Sequence, residues 1–352
     1  MKRWVLLVLS LALGQMCWPS SSVGVADLAI SGPPGAKRAR VVIVQGTDAI
    51  VAFNTREEVV RPMVNCGLTN LTGKTSVKAA WLSLVSTQDV IGIKVFASPG
   101  AISGTRPAVV SGVVQGLLEA GVPREKIIIW DKRIVDLRLS GFMDLAKRYG
   151  VSVAGAAEEG YDDATAYDTA LIGRLVWGDH EFGKKGEGIG RKSFVSNLVA
   201  HRLTKIINVT PMLNHNIVGV SGTIYGLTMA SVDNTLRFDG DPERLATAAP
   251  EIYALRAVGD RVVLSIVDAL VCQYEGEEHG LLHYSTVLNQ LRFSLDPVAL
   301  DVLSIEEIDR QNQAANAAAP KRNLELYHNA TLLELGVSDP RGIQVDTIRC
   351  PE

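Results

Sequence analysis

Five short segments of this 352-residue chain are apolar at nearly every position: Ala39–Val44, Val90–Phe96, Lys126–Trp130, Lys205–Val209 and Arg261–Val267. A strand with one face in water alternates apolar and polar residues, whereas one that is apolar throughout needs cover on both faces. Helix-like stretches run between these segments: Arg56–Cys66, Ser76–Ser86, Arg106–Ala120 with Gly121 behind it, Ser140–Tyr149, Lys192–Leu203, and Pro242–Ala257 behind a capping Asp241. Another opens at Asp296-Pro297 and runs to about Asn312, and Asn323–Leu335 follows it. Shorter extended runs are expected at Val151–Ala154, Leu171–Trp177, Thr286–Phe293 and Gly342–Ile348. The alternation predicts an α/β fold built on a mainly parallel sheet with helices on both faces. Residues 39–312 read as a single large domain, with or without a small subdomain, and residues 313–352 as a helix and strand extension. A hydrophobic content of 47% is ample for such a core.

Met1–Ala26 reads as a cleavable signal peptide. Lys2 and Arg3 precede an apolar run, Trp4–Leu13, too short for a bilayer core of roughly 30 Å, and Gly24-Val25-Ala26 supplies small residues for cleavage. The pattern predicts export by the general secretory route, to a periplasmic or extracellular location, with no membrane span after cleavage. The net charge of −3 for the whole chain, and the absence of any basic stripe, give no nucleic-acid footprint. Beyond the signal segment the cysteines are Cys66, Cys272 and Cys350, none within a C-x-x-C spacing. At most one disulfide can form among them, and no iron–sulfur cluster is expected.

In open parallel sheets, ligands sit beyond the carboxyl ends of the strands. That rule selects Asp131, the Thr210–His215 segment and Asp268, each following a strongly apolar strand. The stretch from Asn208 to Phe238 is dense in polar groups beside small residues: Asn214, His215, Asn234 and Arg237 stand among glycines at 219, 222 and 226. The glycine-rich loop Gly183–Lys192 fits neither the phosphate-loop nor the dinucleotide spacing and reads as a surface hairpin. Asp268–Tyr284 holds three glutamates with His279 and His283, four residues apart; Gly276 and Gly280 argue against a helix there, leaving an acidic loop.

Several segments together resemble the domain of unknown function 362 family. They are Asp89–Val95, Thr105–Arg133, Ile207–Phe238, Val262–Leu270 and Phe293–Leu303, in family order across most of Ala39–Asn312. The resemblance implies an α/β domain without a settled activity. Some relatives carry ferredoxin-type cysteine clusters, which this chain lacks. Many have lysines where Asn214 and Tyr225 stand here, while Lys94 and His215 match the family pattern.

These readings converge on an exported protein acting on a small polar or anionic molecule. In the enzyme reading His215 is the acid/base, Asp131 or Asp268 orients it or ligates a metal, Lys94 and Arg237 clamp an anion, and Asn214 and Asn234 bind substrate. The cofactor is left open; a carboxylate with an imidazole suits a divalent metal. The alternative is a non-catalytic exported protein that binds a small molecule or a metal. The oligomeric state is not legible.

Overall fold

The computed structural model describes residues 38–184, 188–317 and 322–350. The expected signal segment, Met1–Ala26, lies outside them, as does Lys185 of the glycine-rich loop. The described chain enters on β1 (Ala39–Gln45), turns through the ribbon β2 (Ile50–Val51) and β3 (Asn54–Thr55), and forms α1 (Glu57–Thr72) and α2 (Val77–Leu82). β4 (Ile91–Val95), α3 (Gly100–Ser103), α4 (Pro107–Ala120), β5 (Ile127–Asp131), α5 (Ile134–Leu139), α6 (Phe142–Tyr149) and β6 (Ser152–Gly155) follow. A long hairpin, β7 (Tyr161–Arg174) with β8 (Ile189–Ser196), interrupts the sheet before β9 (Lys205–His215), β10 (Gly219–Val220), α7 (Thr223–Ser231) and α8 (Pro242–Tyr253). The remainder is β11 (Val262–Gln273), β12 (Ser285–Ser294), α9 (Pro297–Ala314), α10 (Glu325–Leu332) and β13 (Ile343–Arg349).

The principal sheet runs β13-β1-β12-β11-β9-β4-β5-β6, with β10 paired to β9. β12 is antiparallel to β1 and β11, and β10 to β9; the other ladders are parallel. The apolar strands are explained by what lies on each face. Ile127 and Ile129 point into one core with Val42, Val44 and helices α1, α4 and α6, while Ile128 and Trp130 point into another with α7, α8, α9 and α10. A side-chain period of two sends neighbouring residues to opposite faces, and both faces here are apolar. The architecture is an α/β fold with a mainly parallel sheet covered on both sides. β13 places the C-terminal segment on the edge of this same sheet.

Local chemistry sets several boundaries as expected. Pro107 opens α4, which Gly121 closes in the left-handed region at φ 97°. Asp241 accepts the amides of Glu243 and Arg244, and Asp296 that of Ala299, each ahead of a first-turn proline. One expectation holds only in part: of Lys192–Leu203, the first half is the end of β8 and only Leu198–Arg202 is helical, as a short π-helix. The partner of β8, β7, is polar and extends ten residues upstream of Leu171, so the cross-strand pairing overrides local helical spacing. Among the described residues, no helix is long and apolar enough to cross a membrane.

Candidate functional site

β4 and β5 are parallel neighbours with Lys94 opposite Trp130, so Asp131 stands one residue beyond the lysine's level. Lys94 is wholly buried; its Nζ lies 3.2 Å from Asp131 Oδ1 and donates to the Val95 carbonyl at 2.6 Å. The ammonium also sits 5.4 Å from the centre of the Phe96 ring. Asp131 is held from the other side by amides: Ala97 N–H donates to Oδ2 at 2.7 Å and Lys132 N–H to Oδ1 at 2.8 Å. Burial lowers the Lys94 pKa, while the Asp131 charge pulls it back up. The result is an ion pair anchored at the strand ends, its carboxylate edge facing outward.

That edge faces a cleft of about 290 Å³ lined by Phe96, Ser98, Asp131, Lys132, Arg133, Asp136, Tyr225, Gly226, Met229, Ala230, Thr235, Asp239 and Glu278. A second cavity of about 720 Å³ shares Lys132, Arg133 and Thr235 and runs out beneath Trp177. Trp177 is 87% exposed and meets Phe182 edge-on, ring centres 5.9 Å apart. Glu278, solvent-facing on one side, accepts a hydrogen bond from the Ser98 hydroxyl at 2.8 Å. The cleft walls desolvate it and raise its pKa, reinforced by the charges of Asp131, Asp239 and Asp136. Asp136 is raised likewise, first by desolvation and then by Asp131. The Lys132 pKa is lowered by desolvation, against the opposing pull of Asp179, Asp239 and Asp233. The Lys132 ammonium makes no hydrogen bond or ion pair among the described residues, so it is a cation that the cavities leave available.

The expected gathering of His215, Asp131, Asp268, Lys94, Asn234 and Arg237 around one point is not what the fold builds. His215, at the end of β9, accepts the amides of Ile217 (3.2 Å) and Val218 (3.4 Å) on Nδ1. Its ring packs 4.4 Å from that of Tyr225, which lines the cleft, and burial lowers its pKa. The carboxylates bearing on it are Glu277 and Asp239, not Asp131 or Asp268. Asn214 ties down the same corner, its Oδ1 accepting the Glu277 amide at 3.0 Å and its Nδ2 donating to Asn216 Oδ1 at 3.2 Å.

Asp268 is completely buried and belongs to a different pair. It accepts the Arg106 amide at 2.9 Å and the Arg106 guanidinium at 3.0 Å. A bulge in β11 just after it frees the Leu270 amide, which it accepts at 3.3 Å. Arg237 is equally committed: its donors go to the carbonyls of Leu171, Tyr167 and Thr169 and to the hydroxyls of Ser193 and Thr169, with its plane over the Tyr167 ring. A guanidinium so saturated ties the β7–β8 hairpin to the body and has no donor to offer an anion. Asn234, at φ 42°, receives similar duty: its amide donates to Asp179 Oδ1 and its side-chain nitrogen to the Lys192 carbonyl.

Sequence reasoning passed over Lys132, Ser98 and Asp239, and set Glu278 aside with its neighbours as an acidic loop. Lys132 had a signal, since it directly follows the carboxylate at a strand end. Glu278 had one in the acidic run it belongs to, but the spacing did not show that the loop brings it to Ser98 beside the cleft. Among the described residues, no group of three or more histidine, cysteine or carboxylate side chains is placed to hold a metal ion.

The family model described as "Domain of unknown function (DUF362)" matches residues 91–306, from β4 into α9. No curated protein matches the chain. A crystal structure of a protein from Thermotoga maritima, from a structural genomics programme, is similar at 13% identity with a TM-score of 0.38, over 75% of this chain and 60% of that one. The present chain therefore spans less than two thirds of that protein's length.

Proposed function

The chain belongs to the domain of unknown function 362 family, and on that premise we propose that it is an enzyme acting on a small polar molecule bound over the strand ends of β4 and β5. The observation that carries this reading is one cleft bordered by groups perturbed in opposite senses: Glu278 and Asp136 raised, Lys132 lowered. Carboxyls raised and an ammonium lowered converge toward neutrality, which is what proton transfer near neutral pH requires. Glu278 gives and takes the proton; Asp131, fixed by Lys94 and two amides, accepts a substrate hydroxyl or amine. Lys132 and Arg133 orient an anionic end toward the larger cavity. His215 shapes the wall through Tyr225 and stays out of the chemistry, because its Nδ1 already accepts two amides.

The alternative is a non-catalytic binding protein, favoured by the lack, among the described residues, of any direct His215–carboxylate hydrogen bond. Both readings are tested by native mass spectrometry and metal analysis on protein taken from its source. A bound metabolite that survives Arg237→Met but is lost from Lys132→Met and Glu278→Gln supports the cleft. Retention by both cleft variants overturns it. Turnover of that metabolite by wild type and not by Glu278→Gln separates the enzyme from the binder. We further propose export, on the basic, apolar and small-residue order of Met1–Ala26. Amino-terminal sequencing of the protein from its source, with Asp27 as the first residue, supports export; an intact Met1 overturns it.

A further inference from the structure

Among the described residues, the C-terminal strand β13 is an edge strand paired only to β1. Its side-chain tie across that ladder is the exposed Arg40–Asp346 pair at 2.7 Å, and exposed ion pairs add little. Cys350 follows the last residue of β13, and its thiol turns inward onto α1, 3.7 Å from the Pro62 carbonyl. Pro62 is one helical turn before Cys66, so the Cys350 thiol packs against the stretch of α1 that carries Cys66. Both cysteines are half-buried against the same apolar cluster as α1 and β1. Neither belongs to the cleft described above. The third thiol, Cys272, is fully buried in the core on the opposite face of the sheet, away from both.

We infer that Cys66 and Cys350 are a disulfide site that staples the edge strand to α1 when the protein meets a small-molecule or protein disulfide oxidant. A thiol this close to the helical turn that carries Cys66, with both side chains on one apolar cluster, needs side-chain rotation rather than a shift of fold to bring the sulfurs together. One thiolate attacks the oxidant's disulfide, forms a mixed disulfide and expels one thiolate. The second cysteine's thiolate then attacks the protein-bound sulfur and displaces the other half. Two electrons pass to the oxidant, and the two protons end on the two released thiols. The bond closes nearly the whole described chain into one loop, the arrangement in which a cross-link restricts the unfolded state most.

The full chain, equilibrated with oxidised glutathione and digested without reductant, tests this. The expected result is one peptide pair joining Cys66 to Cys350, lighter by two hydrogen atoms than the sum of its parts. Cys272→Ala is expected to form the same link and Cys350→Ser to lose it. The oxidised protein is expected to melt roughly 5 °C above the reduced one. Glutathione or alkylating label on both Cys66 and Cys350 after oxidation, or a link from either to Cys17 or Cys272, overturns the assignment. A Cys66–Cys350 link with no rise in Tm overturns the staple.

Discussion

Replacing Asp131 by Asn separates two ways of regarding the pair at the strand ends. Lys94 is completely buried, and apart from Asp131 it has the Val95 carbonyl and the face of the Phe96 ring. Without its counter-charge the ammonium either stays charged in an apolar setting or discharges. Discharge sets a ceiling. Neutralising a lysine of ordinary pKa 10.5 at about pH 7 costs about 5 kcal/mol, at about 1.4 kcal/mol per unit. At about pH 9 the ceiling falls to about 2 kcal/mol. In Asp131→Asn the folded pKa of Lys94 sits further below 10.5 than in wild type. Between that depressed value and 10.5 the unfolded chain binds a proton the folded chain lacks, so stability rises with pH. The destabilisation of Asp131→Asn is therefore expected to be roughly 3–5 kcal/mol at neutral pH and to shrink clearly by about pH 9. Lys94→Met is milder, roughly 2 kcal/mol, because Asp131 keeps its two amide donors and an edge on the cleft. Urea unfolding followed by circular dichroism at both pH values measures all of this. Equal costs for the two variants, or an Asp131→Asn deficit unchanged with pH, would refute the buried-pair argument.

Arg106→Leu strands the Asp268 carboxylate in the core and is expected to cost about 3–5 kcal/mol in urea unfolding; a cost under about 1 kcal/mol would return Asp268 to the functional candidates. Arg237→Met removes the donors that hold Tyr167–Leu171, so hydrogen exchange throughout the β7–β8 hairpin is expected to accelerate. An unchanged hairpin together with weakened ligand binding would restore the anion clamp. Burial lowers the His215 pKa below its ordinary 6.5. Its contribution to stability is therefore intact above about pH 6.5 and lost as pH falls toward the depressed value. Ring nitrogen NMR at neutral pH is expected to show a bare Nδ1 and a protonated Nε2, and a doubly protonated ring would contradict the two amide bonds.

The fold was legible because its signal is local. Continuous apolar strands such as Lys126–Trp130 admit few arrangements besides a sheet covered on both faces, and Asp241 and Asp296 announce their helices through capping chemistry. The hairpin was legible only in part: Leu171–Trp177 read as extended and Gly183–Lys192 as a surface hairpin, but the polar length of β7 upstream acquires its shape from β8. The site was half legible for a similar reason. Asp131 and Lys94 sit on adjacent strands, where the strand-end rule reaches them. The same rule selected Asp268, yet could not see that Arg106, 162 residues away in sequence, neutralises it. Polar density around Asn208–Phe238 marked residues with structural roles as readily as functional ones: Arg237 is saturated by the β7–β8 hairpin, while the side-chain oxygens of Asn208, Thr210, Ser221 and Asn234 are buried without a partner among the described residues. Glu278 is set by a turn whose position depends on Asn214 and Asn216, through Glu277.

The charge balance of the cleft constrains its ligand. Lys94 offsets Asp131 from beneath, which leaves Asp136, Asp239 and Glu278 to face Lys132 and Arg133. Asp136 and Glu278 have raised pKa values, so the empty cleft sheds its excess negative charge by taking up protons as pH falls. A ligand that brings a cationic group stabilises the ionised carboxylates and must displace those protons, so its affinity weakens toward acid pH. A purely anionic ligand has the opposite linkage and binds more tightly as the carboxylates protonate. Titration calorimetry of the bound metabolite in two buffers of different ionisation enthalpy reads the sign directly. Proton release on binding is expected, because the carboxylates outnumber the available cations. Proton uptake would mean that Lys132 and Arg133 dominate recognition and that the carboxylates only frame the entrance.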